Sequence, residues 1–165
     1  MQPLVRGISM ELEKRLQDRR QWVIGDTCSM TRVLEILSTK TAFQVVRELF
    51  LGTTRFDDFA ERIGTSAPAV SRALKQLESA GIVARATYQE RGVRARDEYR
   101  LTPAGEDLLP VFLSLVQWGD THLQTGKPPL SFVDAKTGRS VGVRITADTD
   151  RRAMRSADIR VRRRP

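Results

Sequence analysis

The chain has 165 residues with Lys+Arg 28, Asp+Glu 20 and a formal charge of +8, a size that suits one domain with extensions and a sign that suits an anionic partner. Its single cysteine, Cys28, excludes an intrachain disulfide framework and a cysteine-built zinc site. No run approaches the roughly 20 apolar residues of a membrane span, and the N-terminus lacks the apolar stretch of a secretory signal, so a soluble cytoplasmic protein is expected.

The charge is unevenly placed. Residues 151–165 carry seven arginines against Asp158, whereas residues 1–150 hold 21 basic and 19 acidic groups. Within the body, Arg72, Lys75, Arg85, Arg91, Arg94 and Arg96 outnumber Glu78 and Glu90 between residues 66 and 96. Between residues 102 and 126 only Glu106, Asp107 and Asp120 are charged. One segment can face phosphates and the other would avoid them, a polarity more informative than the total.

In chain order, Ile8, Leu12 and Leu16 recur every four residues and predict an amphipathic helix over roughly 9–22. Thr31 can cap a helix with Val33, Leu34, Ile36 and Leu37 on its apolar face. After a break at Ser38-Thr39, Phe43, Val46, Leu49 and Phe50 predict a second helix, closed by Gly52. Phe56, Phe59 and Ile63 predict a short third, closed by Gly64. In TSAPAVSRALKQLESAGIV, Thr65 or Ser66 can cap, Pro68 is tolerated in the first turn and Gly81 terminates. Val70, Leu74 and Leu77 make that helix's buried stripe, leaving Ala67, Pro68, Ser71, Arg72 and Lys75 on the other side, with Ala69 and Gln76 at its edge.

Two strands follow, Ile82–Tyr88 and Asp97–Leu101, around a basic turn over Gln89–Arg96. Thr102-Pro103 opens another helix, with Glu106 and Asp107 near its positive end and Pro110 expected to bend it. Its apolar residues Leu108, Leu109, Val111, Phe112, Leu113, Leu115, Val116 and Trp118 cover more than one stripe, so a second protein surface is expected. Beyond Gly126–Pro129, Leu130–Val133 and the alternating Val141, Val143 and Ile145 flank AKTG and suggest a hairpin. The last fifteen residues offer little to bury and are expected to be disordered.

Helix, short helix, helix and two strands around a basic turn is the order of a winged helix-turn-helix: mainly α with a small β wing. A helix about 10–12 Å across fits the major groove, where base edges are distinguishable. Small residues Ala67, Ala69 and Ser71 allow close approach, Ser66 and Pro68 are further contact candidates in the same turn, and Arg72, Lys75 and Gln76 can reach base edges or phosphate. Arg91, Arg94 and Arg96 can contact an adjacent groove or the backbone, and Arg55 either touches phosphate or pairs with Asp57 or Asp58.

At these residues the chain resembles the HxlR-type transcriptional regulators, from about Cys28 to His122. The resemblance is carried by ELFLGTTRFDDFAERI, SAPAVSRALKQLESAGIVAR and EYRLTPAGEDLLPVFLSLVQWGDTH, with Gly52, Gly81-Ile82-Val83, Glu98-Tyr99, Gly105 and Trp118-Gly119 as specific points. It departs at Thr41, where members usually carry an aromatic residue, and at Arg91-Gly92, where a proline is common. The resemblance implies a homodimer held by terminal helices, with Leu12, Leu16, Leu108, Phe112, Leu115, Val116 and Trp118 as candidates for that interface or for an effector pocket. It further implies a pseudo-palindromic double-stranded DNA operator. Cys28 matches a cysteine that some members use to sense oxidants or electrophiles; the plainer reading is a small packed residue.

The expected organisation is an N-terminal extension (1–25), a winged helix-turn-helix (26–101), a dimerisation helix (102–126), a C-terminal extension with a hairpin (127–150) and a flexible arginine-rich tail (151–165). No catalytic constellation, metal ligand set or cofactor site is expected, nor a membrane partner. The expected function is a cytoplasmic bacterial or archaeal regulator, nucleoid-associated when bound, acting as a repressor and answering a small molecule or redox signal. The rival is a winged helix used for protein–protein contact, against which the wing arginines argue.

Overall fold

The fold was read from a computed structural model, which describes residues 10–88, 96–147 and 153–164; the side chains of Tyr88 and Arg96 fall outside it. By compactness the chain divides into two units, residues 1–35 and 36–165.

In the first unit, the helix predicted over 9–22 is absent among residues 10–22, where the one helical element is a 3-10 turn, Lys14–Leu16. A short amphipathic helix is marginal unless its apolar stripe is packed, and Leu12 remains 37% exposed. A second 3-10 turn, Gly25–Thr27, leads into α1, Ser29–Ile36, which continues into the second unit. Thr31 therefore lies inside α1 rather than capping it. Of the predicted apolar face, only Leu37, just past α1, is buried; Val33 and Leu34 stay exposed.

The second unit begins with three helices: α2, Lys40–Phe50; α3, Phe56–Ile63; and α4, Ala67–Ser79. The Thr39 side chain accepts a hydrogen bond from the Ala42 N–H at 3.1 Å and starts α2, a cap worth about 1 kcal/mol. Gly64, at φ +67°, closes α3 and lets the chain turn into α4 in a conformation that L side chains resist. Val46, Leu49, Phe59, Val70, Leu74 and Leu77 of the stripes read from the sequence meet in one core with Val45, which is not among them, and with Val83 and Tyr99 from the wing; Phe43, Phe50, Phe56 and Ile63 are only partly buried against it. Phe59 has no exposed surface and meets the Tyr99 ring edge-on at 6.3 Å; burying such a side chain contributes about 1.5–3 kcal/mol.

Strands β1, Val83–Tyr88, and β2, Arg96–Leu101, pair antiparallel with Val83 opposite Leu101 and Tyr88 opposite Arg96. The tip of that wing, residues 89–95, lies outside the described residues.

The single bent helix expected after Thr102 is two helices: α5, Pro103–Glu106, and α6, Leu109–His122. Pro110 cannot donate to the Glu106 carbonyl, and the chain restarts with Pro110 in the first turn of α6, where its missing N–H is harmless.

The largest departure is at the C-terminal end. The AKTG turn forms, with the Gly138 N–H donating to the Asp134 carbonyl at 2.8 Å and a bridge between Val133 and Ser140. Yet the ladder of β3, Leu130–Asp134, is made with β4, Ile159–Arg163. Residues 159–163, expected to be disordered, are an antiparallel strand with Phe132 opposite Val161. Ile159 and Val161 border a small apolar cavity with Phe50, Phe112 and Phe132, giving this segment something to bury.

Candidate nucleic-acid interface

The interface is built around α4. Its N-cap, Ser66, is extended, and its carbonyl accepts from the Ala69 and Val70 N–H groups at 3.0 and 3.1 Å. Val70, Ala73, Leu74 and Leu77 are buried, so the 3.6-residue period turns the opposite face outward. Ser66, Ala67, Pro68, Arg72 and Lys75 are exposed there; Ala69 and Ser71 are half-buried. Neither Arg72 nor Lys75 has an ion-pair or hydrogen-bond partner among the described residues. Gln76 is half-buried at the edge, and its amide donates to the Ser38 hydroxyl at 3.3 Å.

Arg55 is exposed at the N-cap of α3, with its backbone bridged to Glu98 of β2. The Tyr99 N–H donates to the Thr54 carbonyl at 2.8 Å, so the start of α3 is fixed to the wing. Burial, the largest influence, raises the Tyr99 hydroxyl pKa, while the nearby Arg85 charge lowers it.

The base of the wing is closed by ion pairs. Arg85, part of the local positive count in the sequence, lies 3.7 Å from Glu78 and 3.5 Å from Asp97. Arg100 pairs with Glu98 at 3.0 Å. Arg91 and Arg94 lie outside the described residues; Arg96 opens β2 with its side chain likewise outside. Unpartnered positive charge in the described part of the reading unit therefore sits on α4 rather than at the wing base.

Sequence reasoning missed a buried polar network under this unit. Glu48 is 5% exposed on α2. It accepts from Arg47 at 2.8 Å and from the Thr53 hydroxyl at 3.2 Å, and Arg62 donates to that hydroxyl at 3.0 Å. The network ties the end of α2 to α3, which braces α4. Its five-residue reach across the end of α2 matches no helical spacing, so periodicity could not reveal it.

A second joint holds the reading unit to α5. The Thr102 hydroxyl donates to the Gly81 carbonyl and accepts from the Gly105 N–H at 3.1 Å, while the Thr102 N–H donates to the Ile82 carbonyl at 3.0 Å.

Among the remaining candidates, Leu109 and Leu113 bury one face of α6, and Val111, Leu115 and Trp118 are 44%, 52% and 57% exposed on another. Trp118 lies against His122, ring centroids 5.1 Å apart. Leu108 packs on the core. Phe112 stacks on Phe50 at 5.4 Å and meets Phe132 edge-on at 6.2 Å. Val116 lines an open groove of about 340 Å³ between α6 and the C-terminal sheet, which also holds Gln117, Asp120 and Arg164. In the first unit, Leu16 is half-buried, and Leu12 is exposed.

Cys28 immediately precedes α1 and is half-buried. The Thr31 backbone N–H, then its hydroxyl, then the Met30 N–H favour the thiolate and hold its pKa below the usual thiol range. No grouping of three or more metal-ligating side chains occurs among the described residues, and none of their helices is long and apolar enough to cross a membrane.

Residues 36–127 match the HxlR-like helix-turn-helix family. An uncharacterised HTH-type transcriptional regulator of Mycobacterium tuberculosis is 36% identical over 101 residues, covering 61% of this chain and 63% of that relative; the chain thus spans under two thirds of its length. In structure, the candidate transcription factor PA1607 aligns with a TM-score of 0.67 over 77% of this chain and 88% of its own, at 23% identity, which bears on fold alone. The redox regulator HypR in its reduced form aligns with a TM-score of 0.52 over 57% and 92%, at 26% identity. The matched family and relatives are transcriptional regulators rather than enzymes.

Proposed function

The chain belongs to the HxlR-like helix-turn-helix family, and from that premise we propose that it is a homodimeric, sequence-specific DNA-binding regulator that represses by occupying promoter DNA. The observation that carries this reading is the two-faced α4: a fully packed inner stripe behind an outer face where Arg72 and Lys75 stand exposed, without partners among the described residues. Two such cations on a helix packed this firmly suit base edges and phosphates; small residues in the first turn let the backbone approach. Arg55, Gln76 and the wing arginines Arg91, Arg94 and Arg96 extend the contact to the flanking backbone.

The homodimer part of the reading is supported by α6. Val111, Leu115 and Trp118 form an apolar stripe that one copy leaves open and a second would cover. The same stripe favours the rival reading, a protein-binding module, but only the regulator also employs the cations of α4. The signal is an oxidant, an electrophile or another small molecule. A thiol whose pKa is lowered at the start of α1 supports the first two, and HypR, a redox regulator, is similar in fold.

Selection of DNA from a randomised pool tests the proposal. Selected duplexes should carry two matching half-sites about 34–36 Å apart, and Arg72→Ala with Lys75→Ala should lose that preference. Unchanged affinity and salt dependence in the double variant would overturn the assignment of α4.

A further inference from the structure

The C-terminal sheet carries a charge arrangement that the reading unit does not use. In β4 and its continuation, alternate residues point to opposite faces. Ile159 and Val161 turn toward the Phe112–Phe132 contact, while Arg160 and Arg162 alternate with them and are exposed; Arg164, just past β4, is exposed at the mouth of the groove beside α6. Directly opposite on β3 stand Val133 and Ser131, neither charged. The Arg164 N–H donates to the Pro129 carbonyl at 3.0 Å, extending the backbone pairing past the end of β4.

One of the guanidinium groups is held, and a second has a close neighbour. Arg160 donates to the Ala135 carbonyl at 3.1 Å, and Arg162 reaches over Gly138, its Nη2 3.8 Å from where a side chain there would start. None of the three arginines is ion-paired among the described residues.

The nearby carboxylates have other work. Asp134 accepts from the Lys136 and Thr137 N–H groups at 2.8 and 2.7 Å, and Asp158 from the Arg155 N–H at 3.1 Å. Asp134 stands opposite Ile159, on the other face of the sheet. Asp120 shares the groove bordered by Arg164. By contrast, in the first unit Arg15 and Arg20 are each paired with an acid two residues away.

We infer that the Arg160–Arg162–Arg164 face is a second, sequence-independent phosphate-binding surface that grips the backbone of duplex DNA outside the site read by α4. This rests on the DNA-binding reading above. Planar guanidinium groups suit phosphate oxygens. A strand presents its alternate side chains about 6.7 Å apart, wide enough for each to meet a separate phosphate of the duplex backbone. Fixing the arginines on a strand also reduces the ordering that binding requires.

The test uses the full chain and measures affinity for a selected duplex and for a random-sequence duplex across a salt series. Arg160→Gln/Arg162→Gln/Arg164→Gln should flatten the dependence of log affinity on log salt by about 2–3, since each phosphate contact contributes about 0.9. It should do so on both duplexes, leaving their affinity ratio unchanged. The matching lysine triple should keep the wild-type slope, and circular dichroism checks that both variants are folded. Arg15→Gln/Arg19→Gln/Arg20→Gln removes the same charge from the first unit and should change the slope less.

A glutamine triple that titrates like wild type, or no differently from that control, overturns the inference while leaving the reading by α4 intact. If wild type binds no duplex, both readings fall. If vesicles of phosphatidylcholine and phosphatidylserine, and not DNA, lose the triple variant, the face is a membrane contact and the inference is likewise overturned.

Discussion

The carbonyl oxygen of Ile82 lies 2.2 Å from where a side chain on Gly105 would begin, and Leu101 Cδ2 lies 2.9 Å from the same point. Glycine here is a requirement of contact rather than of backbone freedom: α5 presses directly on the turn that ends α4. Gly105→Ala should force the helix away and cost about 1–3 kcal/mol, as overpacking does. For a chain of this length each kcal/mol lowers Tm by about 2–4 °C. Thr102→Val keeps the shape but removes the hydroxyl from the same joint, and should cost about 0.5–2 kcal/mol. Urea and thermal unfolding measure both; an unchanged Gly105→Ala midpoint would mean that the contact is looser than it stands.

Thr53→Val tests the network under α3. The substitution leaves Glu48 Oε2 short of a donor at a site only 5% exposed. An unsatisfied buried acceptor costs about 1–3 kcal/mol. Glu48→Ala should cost at least as much, and Arg62→Ala less, because that side chain reaches solvent. Urea midpoints in the order wild type, Arg62→Ala, Thr53→Val check the ranking.

Cys28 gives a pH prediction. Its pKa is lowered, so at neutral pH more thiolate is present than for an ordinary thiol, and that excess disappears as pH falls through the lowered value. The iodoacetamide reaction rate against pH should have its midpoint below the usual thiol range. Thr31→Val should raise it part of the way, because the backbone N–H, the larger influence, remains. A wild-type midpoint at the ordinary value would remove this environment. For sensing, operator binding after diamide should fall in wild type and persist in Cys28→Ser; equal responses would clear Cys28 of the role.

Leu115→Glu should halve the mass measured by light scattering if α6 pairs two copies, since it puts a charge into an apolar stripe already 52% exposed at that residue. A monomeric wild type would instead direct that stripe to a different protein.

Much of the reading unit was legible because its signals are local. Phe43, Val46 and Leu49, then Val70, Leu74 and Leu77, repeat at helical spacing, and Gly52, Gly64 and Gly81 stop the helices with positive φ as expected. Arg72 and Lys75 follow from the same arithmetic, as the faces those stripes leave over. What escaped depends on contacts distant in sequence. Alternation around Phe132 announces a strand but not its partner, and Val161, not Val143, supplies it. Instead, the Gln117 side chain donates to the Val143 carbonyl at 3.2 Å and accepts its N–H at 3.0 Å, occupying both backbone groups that a strand would have used. The stripe of Leu12 and Leu16 shows the opposite limit: a periodic pattern describes a helix that forms once its stripe is packed, and Leu12 is 37% exposed. Arg85 adds to the local positive count in the sequence, but Glu78 and Asp97 lie beside it in space.

The sequence holds two tryptophans, and they sit in different settings. Trp22 lies beneath the Arg19 guanidinium, 3.8 Å from its ring centre, in the first unit, while Trp118 is more than half exposed on α6, with His122 beside it. Replacing Trp22 with phenylalanine leaves one tryptophan, on the exposed apolar stripe of α6. If two copies pair through that stripe, its fluorescence becomes an optical gauge: red and accessible to iodide in dilute protein, blue and shielded as concentration rises, giving an association constant without a label.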